Sequence, residues 1–225
     1  MKKLILNCPL CQSNNVNTFS RSRGRKYLQC KACDLVYLSP EYRPDPMAEY
    51  LRYTTHNNDP HDIRYRNFLN RLKTPLVKKL KKASQGLDFG CGPGPTLSIM
   101  LEEEGFMMNI YDPFFASDPQ VLQYRYDFIT CTEAIEHFYY PQKEFYLLNN
   151  LLNVGGWLGI MTDIFYEDID FNSWYYPKDI THATFYSLHT INWIAENFGW
   201  KWESPRRNVI LFQKMDSINS KSKMG

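Results

Sequence analysis

Between residues 87 and 97 the chain reads LDFGCGPGPTL, and no other stretch restricts the fold as much. Two apolar residues flank one acid, three glycines alternate with other residues, and Pro95 opens an apolar helical pattern. The spacing predicts a buried strand over 86–89 and a helix over 95–104, with proline at a first turn whose N–H has no partner in any case. In open α/β sheets, ligands bind beyond the C-terminal ends of strands. Glycine at such an end permits positive φ and lets a ligand lie against bare backbone. Further on, MMNIY (107–111), YDFITC (126–131) and GGWLGIMTD (155–163) read as strands. Helical patterns cover about 142–152 and 188–198, and WKWES and NVILFQK form a last strand pair. Alternation of this kind predicts an α/β fold with a mainly parallel sheet over 85–215 and a final antiparallel strand, then a frayed tail over 216–225.

A second feature stands in front of that domain. Four of the six cysteines lie in CPLC and CKAC, as C-x₂-C-x₁₈-C-x₂-C from Cys8, Cys11, Cys30 and Cys33. Two residues between cysteines let one tight turn aim both sulfurs at one ion, and two such knuckles make a closed tetrahedral site. Residues 1–40 therefore predict a zinc ribbon with a structural metal, because so short a segment cannot bury enough apolar surface to fold unaided. Residues 41–84 read as a linker with an N-terminal lid and helix. The stretch 34–62, rich in proline and polar residues, reads as a connecting segment and loop. Helical periodicity runs from Ile63 through Leu69, Leu72 and Leu76 to Leu80.

Hydrophobic content of 44% is ordinary for a globular protein, and no run approaches the roughly 18 apolar residues of a membrane helix. The opening MKKLILNCPLC is too short for a signal peptide, so the expected compartment is the cytosol and no membrane partner is expected. Residues 1–33 carry seven basic side chains and no acid, which leaves −5 for the rest of a chain whose net charge is +2. Either a solvated basic face or a docking surface for an anionic partner such as nucleic acid accounts for this.

Two ligand classes compete for the glycine turn. A dinucleotide fingerprint is G-x-G-x-x-G, whereas here the spacing is G-x-G-x-G and Pro95 occupies the position of the third dinucleotide glycine. Asp88, just before the glycines, would repel a pyrophosphate and attract an ammonium or sulfonium. Asp112, at the end of the next strand, stands where an acid can accept both hydroxyls of a ribose. A cation, an amino-acid end and an adenosine ribose without phosphate describe S-adenosylmethionine.

At this point LDFGCGPG, YDP, YDFITCTEAIEHF and LLNVGGWLGIMT resemble the successive motifs of class I S-adenosylmethionine-dependent methyltransferases, over roughly residues 85–214. With CPLC…CKACDLVYLSP in front and WYYPKDITHATFYS behind, the layout is similar to bacterial zinc-ribbon methyltransferases. The resemblance implies a Rossmann-like fold. It also implies that Asp88, Gly90, Cys91 and Gly92 hold the methionine part, that Asp112 holds the ribose with Pro113 and Phe114 against the adenine, and that Cys131, Thr132 and Glu133 line the cofactor. Only 14 residues separate Asp112 from Asp127, about half the family's usual number, so the third strand and its helix must be short or missing. Asp118 is then the remaining candidate for the acid that contacts adenine.

Methyl transfer from an activated sulfonium asks the protein for alignment and, where the acceptor is protonated, for a base. His137, in EAIEHF, and His182, in the polar-aromatic stretch WYYPKDITHATFYS, are the expected catalytic bases, with His56 as a third histidine on the N-terminal side. Tyr139, Tyr140, Trp174, Tyr175 and Tyr176 are expected to wall the acceptor pocket. The acceptor is expected to be a small molecule, or RNA if the basic ribbon, with Tyr27 among Arg21, Arg23, Arg25 and Lys26, serves to dock it.

Overall fold

The structure is a computed structural model and describes residues 7–55 and 58–216; His56 and the tail beyond Asp216 lie outside the described residues. Three strands come first, β1 (Val16–Ser22), β2 (Arg25–Cys30) and β3 (Val36–Leu38), followed by helices α1 (Pro46–Tyr53) and α2 (Ile63–Val77). Then follow β4 (Gln85–Phe89), α3 (Thr96–Glu102), β5 (Met107–Tyr111), β6 (Tyr126–Thr132), α4 (Pro141–Leu151) and β7 (Leu152–Met161). A two-residue strand β8 (Thr184–Phe185), helix α5 (Leu188–Phe198), β9 (Trp200–Arg206) and β10 (Val209–Lys214) complete the chain.

Six strands form the main sheet in the order β5-β4-β6-β7-β10-β9. β5, β4, β6 and β7 run parallel, and β10 pairs antiparallel with both β7 and β9. This is the expected fold, a mainly parallel Rossmann-like sheet with an antiparallel end. The expected loss near residue 120 is also seen. Between β5 and β6 the described chain holds only an isolated Asp112–Ala116 bridge and a 3₁₀ turn over Pro119–Gln123, so β5 becomes the sheet edge. Fully buried Leu69, Leu72 and Leu76 of α2 pack with Phe128 and Leu211 on one face of the sheet. Phe145, Leu148 and Ile191, from α4 and α5, close the other.

The stretch 34–62 is more ordered than its composition predicts. Asp45 caps α1 by accepting the N–H groups of Met47 and Ala48 at 3.0 Å each, and Pro46 fills the first helical position. The Asp-Pro pair is a helix start in the sequence as well. α2 ends at Val77, short of Leu80.

The ribbon is bound into the larger domain. β3 pairs with β8, a segment that lies between β7 and α5, with Val36 opposite Phe185 and Tyr37 opposite Thr184. Tyr27, Val36 and Leu38 share one apolar cluster with Phe171, Trp174 and Phe185. Tyr27 is fully buried there, with its ring 4.9 Å from that of Phe171 and 5.8 Å from that of Phe185, so it is no stacking platform for a nucleic-acid base. Arg23 donates to the carbonyls of Asn172 and Trp174, and Arg25 to those of Pro177 and Asp179. Two of the basic side chains expected to dock RNA are thus used inside the molecule, and nothing here supports a nucleic-acid partner.

Phe185 is 1% exposed and touches both parts. Phe185→Ala is expected to cost about 3–5 kcal/mol, the usual range for truncating a buried aromatic. Thermal melting should show one transition displaced as a whole; a separate early transition for the ribbon would show that the shared core does not couple the two parts.

Candidate functional site

A cavity of about 1000 Å³ opens at the C-terminal ends of β4, β5 and β6. Its floor is the glycine turn. Gly90 and Gly92 have φ of +79° and +66°, and a Cβ on Gly90 would stand 2.7 Å from the Cβ of Ala134. The N–H groups of Gly90 and Cys91 are given to the carbonyl of Tyr111, at 2.7 and 3.3 Å, and that of Gly92 to Asp112 at 3.0 Å. These three amides are therefore not available to cradle a phosphate. Gly94 serves a different need: a Cβ there would meet the carbonyl oxygen of Asn58 at 2.5 Å. Its bareness admits the N-terminal segment, which Thr96 also holds by donating its hydroxyl to the same carbonyl at 2.7 Å.

Asp88 lies beneath this turn, accepting from Thr130 Oγ1 at 2.7 Å and Ser98 Oγ at 3.5 Å. Burial pushes its carboxyl up to about 6, against the pull of those two hydroxyls. The site therefore holds a carboxylate that a positive ligand would stabilise. Asp112 is more committed than expected. Beyond Gly92, it accepts from the N–H groups of Phe114 at 2.9 Å and Phe115 at 3.1 Å. A carboxylate offers about four acceptor positions, so these three bonds leave room for about one further donor. Pro113 and Phe114 line the cavity as expected, and Phe115 joins them. Asp118 does not line it; it is exposed and caps its own turn through the N–H of Gln120.

Thr132 and Glu133 stand at the end of β6 on the cavity wall. The Thr132 hydroxyl is buried and has no hydrogen-bond partner among the described residues, as befits an atom waiting for a ligand. Glu133 is a non-glycine residue at φ +50°, a strain of the kind that persists where function requires it. Cys131, expected beside them, faces the other way. Successive strand residues alternate sides, and Cys131 is fully buried in the core with Ile135 and Tyr186. Cys91 does line the cavity.

His137 and His182 come together on the cavity wall, with ring centroids 4.8 Å apart. Tyr139, Tyr140, Tyr175 and Tyr176 line the cavity around them. Trp174 does not, and belongs to the cluster shared with the ribbon. Two residues beside the histidines are among the cavity residues that the sequence does not single out. Glu136 is fully buried and accepts from Tyr176 Oη at 2.6 Å and Thr162 Oγ1 at 3.0 Å. Its signal was available, as an acid next to the histidine in EAIEHF. Tyr53 comes from α1, its ring 5.2 Å from that of His137, and nothing in the sequence pointed to it.

Such a sheet, with a glycine turn and carboxylates at its strand ends, defines a Rossmann-like protein, and its buried carboxylates suit a cationic ligand. Residues 61–204 match the methyltransferase domain family, and the chain belongs to it as an S-adenosylmethionine-dependent methyltransferase. The fold is similar to 1,6-didemethyltoxoflavin-N1-methyltransferase of Burkholderia thailandensis, solved with 1,6-didemethyltoxoflavin and S-adenosylhomocysteine bound. The identity is 15% and the TM-score 0.54, over 89% of this chain and 100% of the other. It is also similar to the PH0226 protein of Pyrococcus horikoshii, at 16% identity and a TM-score of 0.50, over 74% and 99%. No curated protein matches the sequence. Among the described residues no helix is long and apolar enough to cross a membrane.

The raised Asp88 carboxyl has a stability consequence. Between about pH 4 and 6 the unfolded chain gives up this proton while the folded chain keeps it, so Asp88 makes stability fall as pH rises through that window. The loss is on the order of 3 kcal/mol. Asp88→Asn should therefore flatten the decline in stability of the ligand-free protein from pH 4 to 7, measured by urea unfolding. An unchanged slope would show that Asp88 titrates normally.

Proposed function

We propose that this methyltransferase acts on a small-molecule acceptor held between the glycine turn and the His137–His182 pair. The supporting observation is that one cavity is lined by the glycine turn and by both histidines. Asp88, Gly90, Cys91 and Gly92 would hold the methionine part, Asp112 one ribose hydroxyl, Pro113 and Phe114 the adenine side, and Thr132 and Glu133 the strand end. The cofactor, when bound, supplies a methyl group already activated on sulfur, so the chain's own contribution is alignment and exclusion of water. The tyrosines, the α1 residue Tyr53 and the segment 174–182 close over the acceptor end, which suits a small molecule better than a polymer. The neighbour from Burkholderia thailandensis binds 1,6-didemethyltoxoflavin, which agrees with this reading.

The four ribbon cysteines fit a structural zinc. Their donor sulfurs all lie within 4.8 Å of one another, with Cys8–Cys33 at 3.6 Å and Cys11–Cys30 at 3.4 Å. Sulfurs around a tetrahedral zinc at about 2.3 Å stand roughly 3.8 Å apart. The Cys8 thiol is pulled down to about 6 by its contact with Cys33, and the same contact pushes Cys33 upward. These thiols compete for charge until a cation arrives. A thiolate cluster of this kind fits a reducing compartment, the cytosol. Residues 1–40 are proposed as the ribbon, 41–84 as the connecting lid, and 85–215 as the catalytic domain.

Calorimetry should show micromolar binding of S-adenosylmethionine, and Gly90→Val should abolish it while circular dichroism shows a retained fold. Equal affinity in the variant would sink the cofactor placement. Metal analysis of protein purified without chelator should find one zinc held by the ribbon. Because that ribbon shares a core with the main domain, chelation should lower the melting temperature of the whole protein; a protein free of zinc and equally stable would refute the assignment.

A further inference from the structure

Beyond the base role expected of the two histidines, the acceptor end of the cavity has the composition of a metal centre. We infer that Glu136, His137 and His182 bind one divalent first-row cation, with its remaining coordination positions open to the cavity. One oxygen of Glu136 and one nitrogen from each histidine all lie within 4.8 Å of one another. Donors at about 2.0–2.2 Å from a common ion stand up to roughly 4.3 Å apart, so small side-chain adjustments complete the set.

Two independent features support the set as ligands. First, His137 Nδ1 lies 3.1 Å from the carbonyl of Thr181. A carbonyl only accepts, so Nδ1 carries the proton and Nε2 keeps its lone pair. A histidine whose second nitrogen donates to a backbone carbonyl is the usual arrangement of a metal ligand. Secondly, the Glu136 carboxylate is oriented by Tyr176 and Thr162, one hydroxyl on each oxygen, which leaves lone pairs for an ion. The N–H of Ala183 donates to the Glu136 carbonyl at 2.8 Å, which fixes the segment bearing His182 against the one bearing Glu136 and His137.

Two imidazoles and one carboxylate suit manganese, iron, cobalt or zinc, and three protein ligands leave room for water or an acceptor oxygen. A hydroxyl that completes that shell is acidified by the cation, as metal-bound water is. The acceptor class that follows is an oxygen nucleophile. This inference rests on the small-molecule methyltransferase reading only for its meaning, since metal binding can be measured without an acceptor.

The test uses full-length protein with the ribbon already loaded with zinc. Manganese(II) binds thiolates poorly and does not displace zinc from them, so loss of the free-ion electron paramagnetic resonance signal counts this site alone. One Mn²⁺ per chain is expected. His182→Asn and His137→Asn should each weaken binding at least tenfold, and Thr162→Val, which removes only a group that orients the carboxylate, by about 10–100-fold. Melting curves would confirm that each variant folds. No binding of Mn²⁺, nor of Co²⁺ by calorimetry, at millimolar concentration would overturn the inference, as would binding indifferent to all three substitutions. S-adenosylmethionine is titrated into the same preparation. If it binds while the metals do not, only this inference fails; if the metals bind while it does not, the cofactor reading fails and the metal site stands.

Discussion

The site depends above all on how the chain between β7 and α5 is held. Residues 162–187 contain only the two paired residues of β8 and one short 3₁₀ turn, so their order must come from outside. It comes from three directions. β3 adds the ribbon sheet along β8. Arg23 and Arg25 take up carbonyls that the irregular backbone would otherwise leave unpaired. Glu136 and the Ile135 carbonyl receive the hydroxyls of Tyr176, Thr184 and Tyr186 from below. A segment fixed on both sides can present His182 and Tyr176 to the cavity at a defined height, which a free loop cannot do.

This changes what the ribbon is for. A segment, residues 1–33, with seven basic residues and no acid invites the idea of a polyanion-binding arm. Instead, part of that charge is spent on the carbonyl groups of the neighbouring loop, and its aromatic residue is core. Asp34, at the end of the ribbon, also accepts the hydroxyl of Ser187, the residue that caps α5, at 2.6 Å. The metal proposed for the four cysteines would thus bear on the histidine side of the cavity through strand pairing and packed side chains.

The legible part of the molecule was the part built from local patterns. Strand-glycine-helix, the C-x₂-C pairs and the alternation of elements each express a short-range rule, and the shortened segment after Asp112 followed from counting residues. What was not legible depended on distant partners. β3 and β8 are too short to show periodicity, and β8 exists because it pairs with β3 across about 150 residues. The reading of Tyr27 went wrong for the same reason, since its neighbours in sequence are arginines and its neighbours in space are Phe171 and Phe185. Cys131 was placed by its motif, whereas strand alternation, had it been applied from Thr130, would have turned it inward. Gly94 was read as room for a ligand, and the occupant of that room is Asn58, brought by a chain segment that sequence spacing alone cannot locate.

The cavity's charge is best understood from both ends together. Asp88, Asp112, Glu133 and Glu136 all line it, and three of these four carboxyls are pushed upward or crowded by others. An interior this acidic is costly while empty, because each buried charge loses its hydration and repels the next. It becomes favourable once positive charge is delivered to it. A cationic cofactor over Asp88 and a divalent ion at Glu136 would relieve separate parts of the same burden. Beside Glu136 and the histidines, Tyr53, Tyr139 and Tyr176 offer an acceptor flat surfaces and hydroxyls. On this view the arrangement of carboxylates does more than bind: it decides where positive charge settles in the cavity, and so where the methyl donor and its acceptor are drawn.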